Sequence, residues 1–157
     1  MTGQRSKALQ QFLLDTAADG YADAHAPVTR PPDGSHDLVI KRDQYILHDN
    51  WFGGEPFGGR EVVKDEDKTF WMMVYYGAIN DPAEKPGDVY VALREALAKP
   101  EQTMPIRGPR HYQASNGYSY DFTWDGDLTR FSGKESINSP QGKTVYQCEV
   151  SGGMVDL

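Results

Sequence analysis

Seven consecutive apolar or aromatic residues, Phe70 to Tyr76, constrain the fold more than any other segment of the chain. Side chains alternate along a β-strand, so the even-numbered residues of this run face one way and the odd-numbered residues the other. Because both sets are apolar, the run predicts a central strand that is covered on both faces. Helices can cover one face, whereas loops, a curled sheet or a partner subunit must cover the other.

Short runs separated by polar turns continue on both sides of this strand, a pattern typical of antiparallel hairpins. We predict strands over residues 37–41, 45–52, 60–64 and 69–77, and three more between residues 118 and 150. Asp125-Gly126 predicts a tight hairpin turn. Apolar residues at helical spacing predict helices over residues 4–18 and 88–99, with Asp88 as the N-cap of the second.

The order of these elements is one helix, four strands, a second helix and three strands. It predicts a single α+β domain over residues 1–157, in which two helices pack on one face of a curved antiparallel sheet of about seven strands. Tyr118, Tyr120, Phe122 and Trp124 fall on one face of a strand, and we interpret this aromatic row as core. The alternative is that the row lines a pocket in a concave sheet.

Composition excludes several classes of function. The chain has 157 residues and a formal net charge of −7, which repels phosphate backbones and disfavours unaided nucleic-acid binding. No apolar run approaches the roughly 18 residues of a membrane span, and residues 1–14 lack the features of a secretory signal. The single cysteine, Cys148, is expected to be a buried hydrophobic residue. We therefore expect a cytoplasmic protein with no membrane association.

Sequence motifs for metal binding and nucleophilic catalysis are missing. The four histidines lie far apart, and no HExxH, GxSxG or GxxxxGK[ST] motif occurs, so we predict no metal site and no cofactor. Two carboxylates that converge in a cleft could still supply an acid and a base. Six carboxylates on the predicted hairpins are candidates, and Glu55 and Asp121 are the pair to test first. The six are Asp49, Glu55, Glu61, Asp121, Asp127 and Glu135.

The most unusual segment is WFGGEPFGG, residues 51–59, in which two glycine pairs flank one carboxylate among three aromatic rings. Glycine permits tight turns and close backbone approach, so this density predicts an unusual backbone path. One interpretation is a wide loop that joins two hairpins and folds its rings onto the core. The other is a ligand-contact loop, in which Glu55 accepts hydrogen bonds and Trp51 or Phe57 supplies a stacking face.

A second candidate is the compact cationic segment RGPRHY, residues 107–112. Arg107 lies between Pro105 and Gly108-Pro109, which restrain its backbone and suit a fixed fork for a carboxylate or phosphate. The alternative role is a salt bridge to an acidic side chain, and Glu55 is one such partner.

Several motifs resemble a bacterial domain family of unknown function. They are FGGEPFGGREVV (52–63), WMMVYYG (71–77), PIRGP (105–109) with Tyr112, and GDLTRFSGKESI (126–137) ending in VYQCEVSGG (145–153). Members resemble free-standing proteins of about this length, or a C-terminal domain behind an Xre-type helix-turn-helix. The resemblance implies no assigned chemistry. We expect no room for a helix-turn-helix before the first helix of this chain. If fused relatives sense a ligand or partner, this chain would therefore retain only the sensing half.

Three functions follow as hypotheses, and whether the chain is an enzyme stays open. The leading one is a non-catalytic module that binds a small polar ligand or a peptide. The alternatives are a small hydrolase that uses Glu55 and Asp121, and a homodimeric regulatory protein that docks through the second apolar face of the 70–76 strand. The candidate ligand contacts are Trp51, Glu55, Phe57, Tyr75, Arg107 and Asp121.

Overall fold

The computed structural model describes residues 2–156 and has a mixed α+β fold with one open antiparallel sheet. The elements in chain order are α1 (Thr2–Thr16), β1 (His36–Arg42), β2 (Tyr45–Gly53), β3 (Phe57–Asp65), β4 (Lys68–Ile79), α2 (Pro86–Leu97), β5 (His111–Gln113), β6 (Ser119–Asp127), β7 (Arg130–Asn138) and β8 (Thr144–Met154). The α+β class is confirmed. The sheet has eight strands rather than about seven, because the short β5 pairs with β6 and was not predicted.

The sheet consists of two hairpin meanders that meet in the middle. Its strand order is β1-β2-β3-β4-β8-β7-β6-β5, and every pair is antiparallel. The last strand, β8, lies beside β4, in a register that runs from Trp71 opposite Met154 to Ile79 opposite Tyr146. The apolar 70–76 run is therefore central, as its composition predicts.

The two faces of β4 differ in burial, contrary to expectation. Trp71 and Met73 are fully buried and Tyr75 nearly so, and this side of the sheet is called the buried face. On the opposite side, called the exposed face, Val74 is 43% and Tyr76 is 62% exposed. Within residues 2–156, no segment covers these two side chains, so the prediction that β4 is covered on both faces is wrong for the isolated chain.

Both helices contribute to one core. Leu9, Phe12 and Leu13 of α1 and Val89 and Leu93 of α2 are buried in the same cluster as the buried face of the sheet. The predicted N-cap of α2 is wrong. Lys85 precedes the helix, and Pro86, whose missing N–H has no partner to lose in the first turn, begins it. The packing of both helices on one face and the curvature of the sheet stay predictions.

The hairpin between β6 and β7 turns three residues later than expected. Asp125 and Gly126 lie within β6, and the turn is at Leu128-Thr129. The Asp127 carboxylate accepts hydrogen bonds from the Thr129 N–H at 2.8 Å and from its hydroxyl at 2.5 Å, which fixes the turn there. Leu128 is buried and anchors it.

Neither helix is both long and apolar enough to cross a membrane, among the residues that the structure describes. Cys148 is a free thiol with 1% of its surface exposed, in agreement with the prediction of a buried residue. Of the aromatic row, Tyr118, Tyr120 and Phe122 are buried in the core, as interpreted, while Trp124 is half-buried.

Candidate functional site

The glycine-rich segment is a tight hairpin rather than a wide loop. Strand β2 continues to Gly53 and β3 begins at Phe57, so only three residues form the turn. The Glu55 carboxylate lies outside the sheet, where Oε1 accepts a hydrogen bond from the Ile79 N–H at 2.6 Å and Oε2 accepts one from the Tyr90 hydroxyl. Glu55 therefore ties the turn to the end of β4 and to α2.

Gly77 in β4 makes room for aromatic rings on the buried face. A Cβ at Gly77 would lie 2.7 Å from Cζ of Phe57 and 3.1 Å from the hydroxyl oxygen of Tyr146. With glycine at this position, the Phe57 ring stacks on Tyr146 at a centroid distance of 6.4 Å and contacts Tyr75 at 6.0 Å. The sequence thus places an aromatic cluster next to the hairpin.

Arg107 pairs with Glu135 of β7, not with Glu55. Its Nε and Nη2 donate to the two carboxylate oxygens at 2.8 and 2.7 Å, and Glu135, with no exposed surface, also accepts from the hydroxyls of Tyr120 and Tyr146 at 2.6 and 2.8 Å. Burial opposes the charge on Arg107, but the adjacent Glu135 outweighs it and raises the pKa of Arg107 above its usual value. This fixed fork is the arrangement expected of Arg107, with an internal carboxylate as its partner.

A second pair of acidic residues, Asp49 of β2 and Glu61 of β3, lies beside Arg107. The two are directly opposite across the β2–β3 ladder, where facing Cβ atoms are about 4.5–5.5 Å apart. Removal from water raises the pKa of Asp49 to about 6, although the Tyr75 hydroxyl, which donates to Oδ1 at 2.5 Å, and Arg107 act to lower it. Removal from water and then the charge of Asp49 raise the pKa of Glu61 to about 8. The pair of carboxyl groups therefore carries one proton near neutral pH.

Two cavities of about 70 Å³ each adjoin these groups. The hairpin cavity is lined by Trp51, Gly53, Gly54, Phe57, Tyr75 and Leu93. The helix cavity lies against Leu13 of α1, Leu97 of α2 and Glu61. Tyr21, Asp49 and Arg107 line both, so the charged groups stand between the two spaces.

The structure brings together four of the six residues predicted as ligand contacts: Trp51, Phe57, Tyr75 and Arg107 all line the hairpin cavity. Glu55 and Asp121 do not line it. Asp121 lies on the exposed face near the sheet edge, where Oδ1 contacts the His111 Nδ1 at 2.8 Å. Glu55 and Asp121 therefore do not form the carboxylate pair of the hydrolase hypothesis, since each is bound to a different part of the chain.

Sequence reasoning missed the importance of Asp49, Glu61 and Tyr21. A signal for the first two exists: in β2, Asp49 follows Leu47 with strand periodicity, so a carboxylate occupies a position facing the core. Glu61 holds the corresponding position in β3, two residues before the buried Val63. Tyr21 lies in the connection between α1 and β1, and no pattern marks it.

A larger and shallower groove, of about 670 Å³, crosses the exposed face over β4, β8, β7 and β6. Two of its three charged residues pair with each other, Lys134 Nζ lying 3.6 Å from Glu149 Oε1, and both are largely exposed; Asp125 is the third. Exposed ion pairs of this kind contribute little to stability. The groove contains no buried polar side chain among the described residues. The buried cluster is the stronger candidate site.

The fold and site define an α+β protein with one eight-stranded antiparallel sheet and a polar cluster buried beside two small cavities. Residues 49–155 match the family described as "Domain of unknown function (DUF5680)", and the chain belongs to this family. The match begins at Asp49, within β2, and includes α2 and every strand from β3 to β8. No curated protein and no solved structure matches the chain.

Proposed function

We propose that the chain is a binding module for a small polar ligand, and that the site is formed by the hairpin and helix cavities around Asp49 and Arg107. The observation that carries the proposal is unused hydrogen-bonding capacity inside a cavity. Only Oδ1 of Asp49 accepts a hydrogen bond, and no side-chain hydrogen bond reaches Glu61, in residues 2–156. The free carboxylate oxygens of these two residues line the helix cavity, where a small polar ligand can reach them and use their hydrogen-bonding capacity.

Arg107 offers further capacity on the same side. Its Nε and Nη2 hold Glu135, and no bond from Nη1 is found within the described part of the chain. Glu135 binds the guanidinium through two hydrogen bonds and is itself held by two tyrosine hydroxyls, so the remaining N–H groups of Arg107 are held in place before any ligand arrives. Trp51, Phe57 and Tyr75 add the apolar and aromatic wall that small-molecule sites use.

A thermal-shift screen of small polar metabolites tests the proposal. A ligand at 100 times its Kd stabilises the folded state by about 2.7 kcal/mol, which raises Tm by roughly 5–10 °C in a chain of this size. We expect at least one compound to do so, Asp49→Asn to abolish the shift, and the control Asp121→Asn to retain it. The proposal fails if no compound shifts Tm, or if the shifts survive Asp49→Asn.

A second candidate function is general acid–base catalysis, with Asp49 and Glu61 in place of Glu55 and Asp121. It is favoured by the two pKa values, about 6 and about 8, which place one ionised and one protonated carboxyl in the same cavity at neutral pH. A hydrolase would lose its activity in both Asp49→Asn and Glu61→Gln, whereas a binding module shows no turnover in the wild-type protein.

The homodimer also remains a proposal. Exposed apolar side chains at Val39, Phe52, Val74 and Tyr76 favour it, and the last two lie on the exposed face of the central strand. Light scattering that finds only a monomer at high concentration would argue against it. A bacterial origin, a cytoplasmic location and a sensing role beside helix-turn-helix relatives are proposed on the resemblance of the motifs and on composition.

A further inference from the structure

We propose that the ligand is a small organic cation, a primary alkylammonium, and that its binding releases a proton from the Asp49–Glu61 pair. This inference rests on the proposed function and narrows it to one chemical class.

The charge balance favours a cation. Among residues 2–156, Arg107 is the only basic residue that lines either cavity, and its charge is already matched by Glu135, which accepts two hydrogen bonds from it. Asp49 and Glu61 therefore lack a counter-charge of their own. An anionic ligand in the hairpin cavity would meet the Asp49 carboxylate. A cation there would meet Asp49, whose Oδ2 accepts no side-chain hydrogen bond within residues 2–156, and Glu61 lies directly opposite Asp49 in the β2–β3 ladder.

The walls of the hairpin cavity suit a cation as well. Trp51, Phe57, Tyr75 and Tyr21 line it together with Asp49. The Tyr21 and Trp51 rings meet edge to face at 6.4 Å, and Phe57 contacts Tyr75 at 6.0 Å. Aromatic ring faces attract cations, most strongly where water is excluded. The Arg94 guanidinium already lies 4.7 Å from the centroid of Tyr21, and that of Arg107 lies 5.8 Å from the centroid of Tyr75. Trp51 and Phe57 are therefore the lining rings that hold no cation within residues 2–156.

The volume limits the ligand to a small head group. Each cavity offers about 70 Å³ to the centres of water-sized groups, which is enough for several such groups. An ammonium group and the first carbons of an alkyl chain fit this space. The hairpin cavity reaches Gly53 and Gly54, which are exposed, so the rest of an alkyl chain can leave toward solvent at the β2–β3 turn.

Proton release follows from the surroundings of the two carboxyls. Tyr75 of β4 donates a hydrogen bond to Asp49, and Arg107 lines the helix cavity together with both carboxyls. The charged or titratable groups that face the pair or its cavities from neighbouring elements are Tyr21 before β1, His48 of β2, Arg60 of β3, Tyr75 of β4, Arg94 of α2, Arg107 before β5 and Glu135 of β7. None of them neutralises both carboxylates, so the pair retains a proton near neutral pH. A bound ammonium ion favours ionisation of both carboxyls, and the Glu61 proton leaves to solvent.

The experiment uses three probes with the same four-carbon chain and different head groups: n-butylammonium, n-butanol and butyrate. Binding is followed by NMR chemical shifts at constant ionic strength, between pH 5.5 and 8.5, in the wild-type protein. We expect n-butylammonium to shift the Trp51 indole signal and its Kd to fall roughly 50-fold between pH 6 and pH 8, because a proton with a pKa of about 8 must leave on binding. Butyrate and butanol should bind at least tenfold more weakly.

Variants separate this inference from the proposed function. Glu61→Gln and Asp49→Asn should each weaken n-butylammonium binding at least tenfold, and Glu61→Gln should remove most of the pH dependence. Glu149→Gln, which removes a largely exposed carboxylate on the opposite face, should change neither. Thermal unfolding checks that each variant is folded.

If butyrate or butanol binds as tightly as n-butylammonium in a manner that requires Asp49, the proposed function stands and the cation inference is overturned. If the cation binds with a Kd that does not depend on pH, the proton release is overturned. If none of the three probes binds at millimolar concentration, both the inference and its basis in this cavity are rejected.

Discussion

Removing Arg107 should destabilise the protein far more than removing any surface cation. In Arg107→Met, the apolar stem is retained and the guanidinium is lost, so Glu135 keeps only the hydroxyls of Tyr120 and Tyr146 as donors. Glu135 has no exposed surface and the Arg107 side chain only 10%. Breaking a buried ion pair on one side leaves an uncompensated charge and costs about 3–5 kcal/mol.

Urea unfolding followed by tryptophan fluorescence measures this loss of stability, and thermal unfolding gives the change in Tm. At roughly 2–4 °C per kcal/mol for a chain of this size, Tm should fall by about 6–20 °C. The double variant Arg107→Met/Glu135→Gln should recover part of the loss, because it buries no net charge, and a double-mutant cycle then gives the coupling energy directly. The matched control is Lys134→Met, which breaks the exposed pair with Glu149 and should cost at most about 1 kcal/mol. If Arg107→Met costs no more than this control, the pair does not stabilise the fold as argued.

Three further predictions use other parts of the structure. Gly77→Ala would place a Cβ 2.7 Å from Cζ of Phe57 and should destabilise by about 1–3 kcal/mol; an unchanged urea midpoint would contradict the packing. Cys148 is 1% exposed and burial raises its pKa to about 11, so iodoacetamide at pH 8 should modify it only after unfolding, as mass spectrometry can show. Because the pKa of Glu61 is raised in the folded state, wild-type stability should fall as pH rises from about 4.5 to about 8 relative to Glu61→Gln, by at least about 2 kcal/mol; parallel stability curves for the two proteins would contradict this.

Strand periodicity predicted most of the sheet because hairpin meanders depend on local signals. Runs such as 69–77 and the polar turn at 65–68 are readable from alternation and turn residues alone. The three residues of β5 carry too little pattern to be recognised, and they pair only because the 111–113 segment lies against β6. The position of β8 beside β4 depends on long-range packing and follows from no local signal.

The candidate site was only partly predictable, for a geometric reason. Gly53 has a positive φ of 80°, and a Cβ there would lie 2.3 Å from the Pro56 carbonyl oxygen, so the turn is tight. Had the segment been interpreted as a hairpin centred on Glu55, Asp49 and Glu61 would have fallen opposite one another at core-facing positions. Its interpretation as a wide loop hid this pair. The partner of Arg107 was not predictable, because Glu135 is 28 residues away and separated from it by two strands.

Carboxyl-detected NMR titration of the wild-type protein, without and with n-butylammonium, tests the central claim most directly. The account predicts that Asp49 and Glu61 titrate at about 6 and about 8 in the free protein, well above exposed carboxyls. It also predicts that both values fall when the cation binds. Titration of both groups near pH 4, or two raised values that do not respond to any small polar molecule, would contradict the assignment of this cluster as a ligand site.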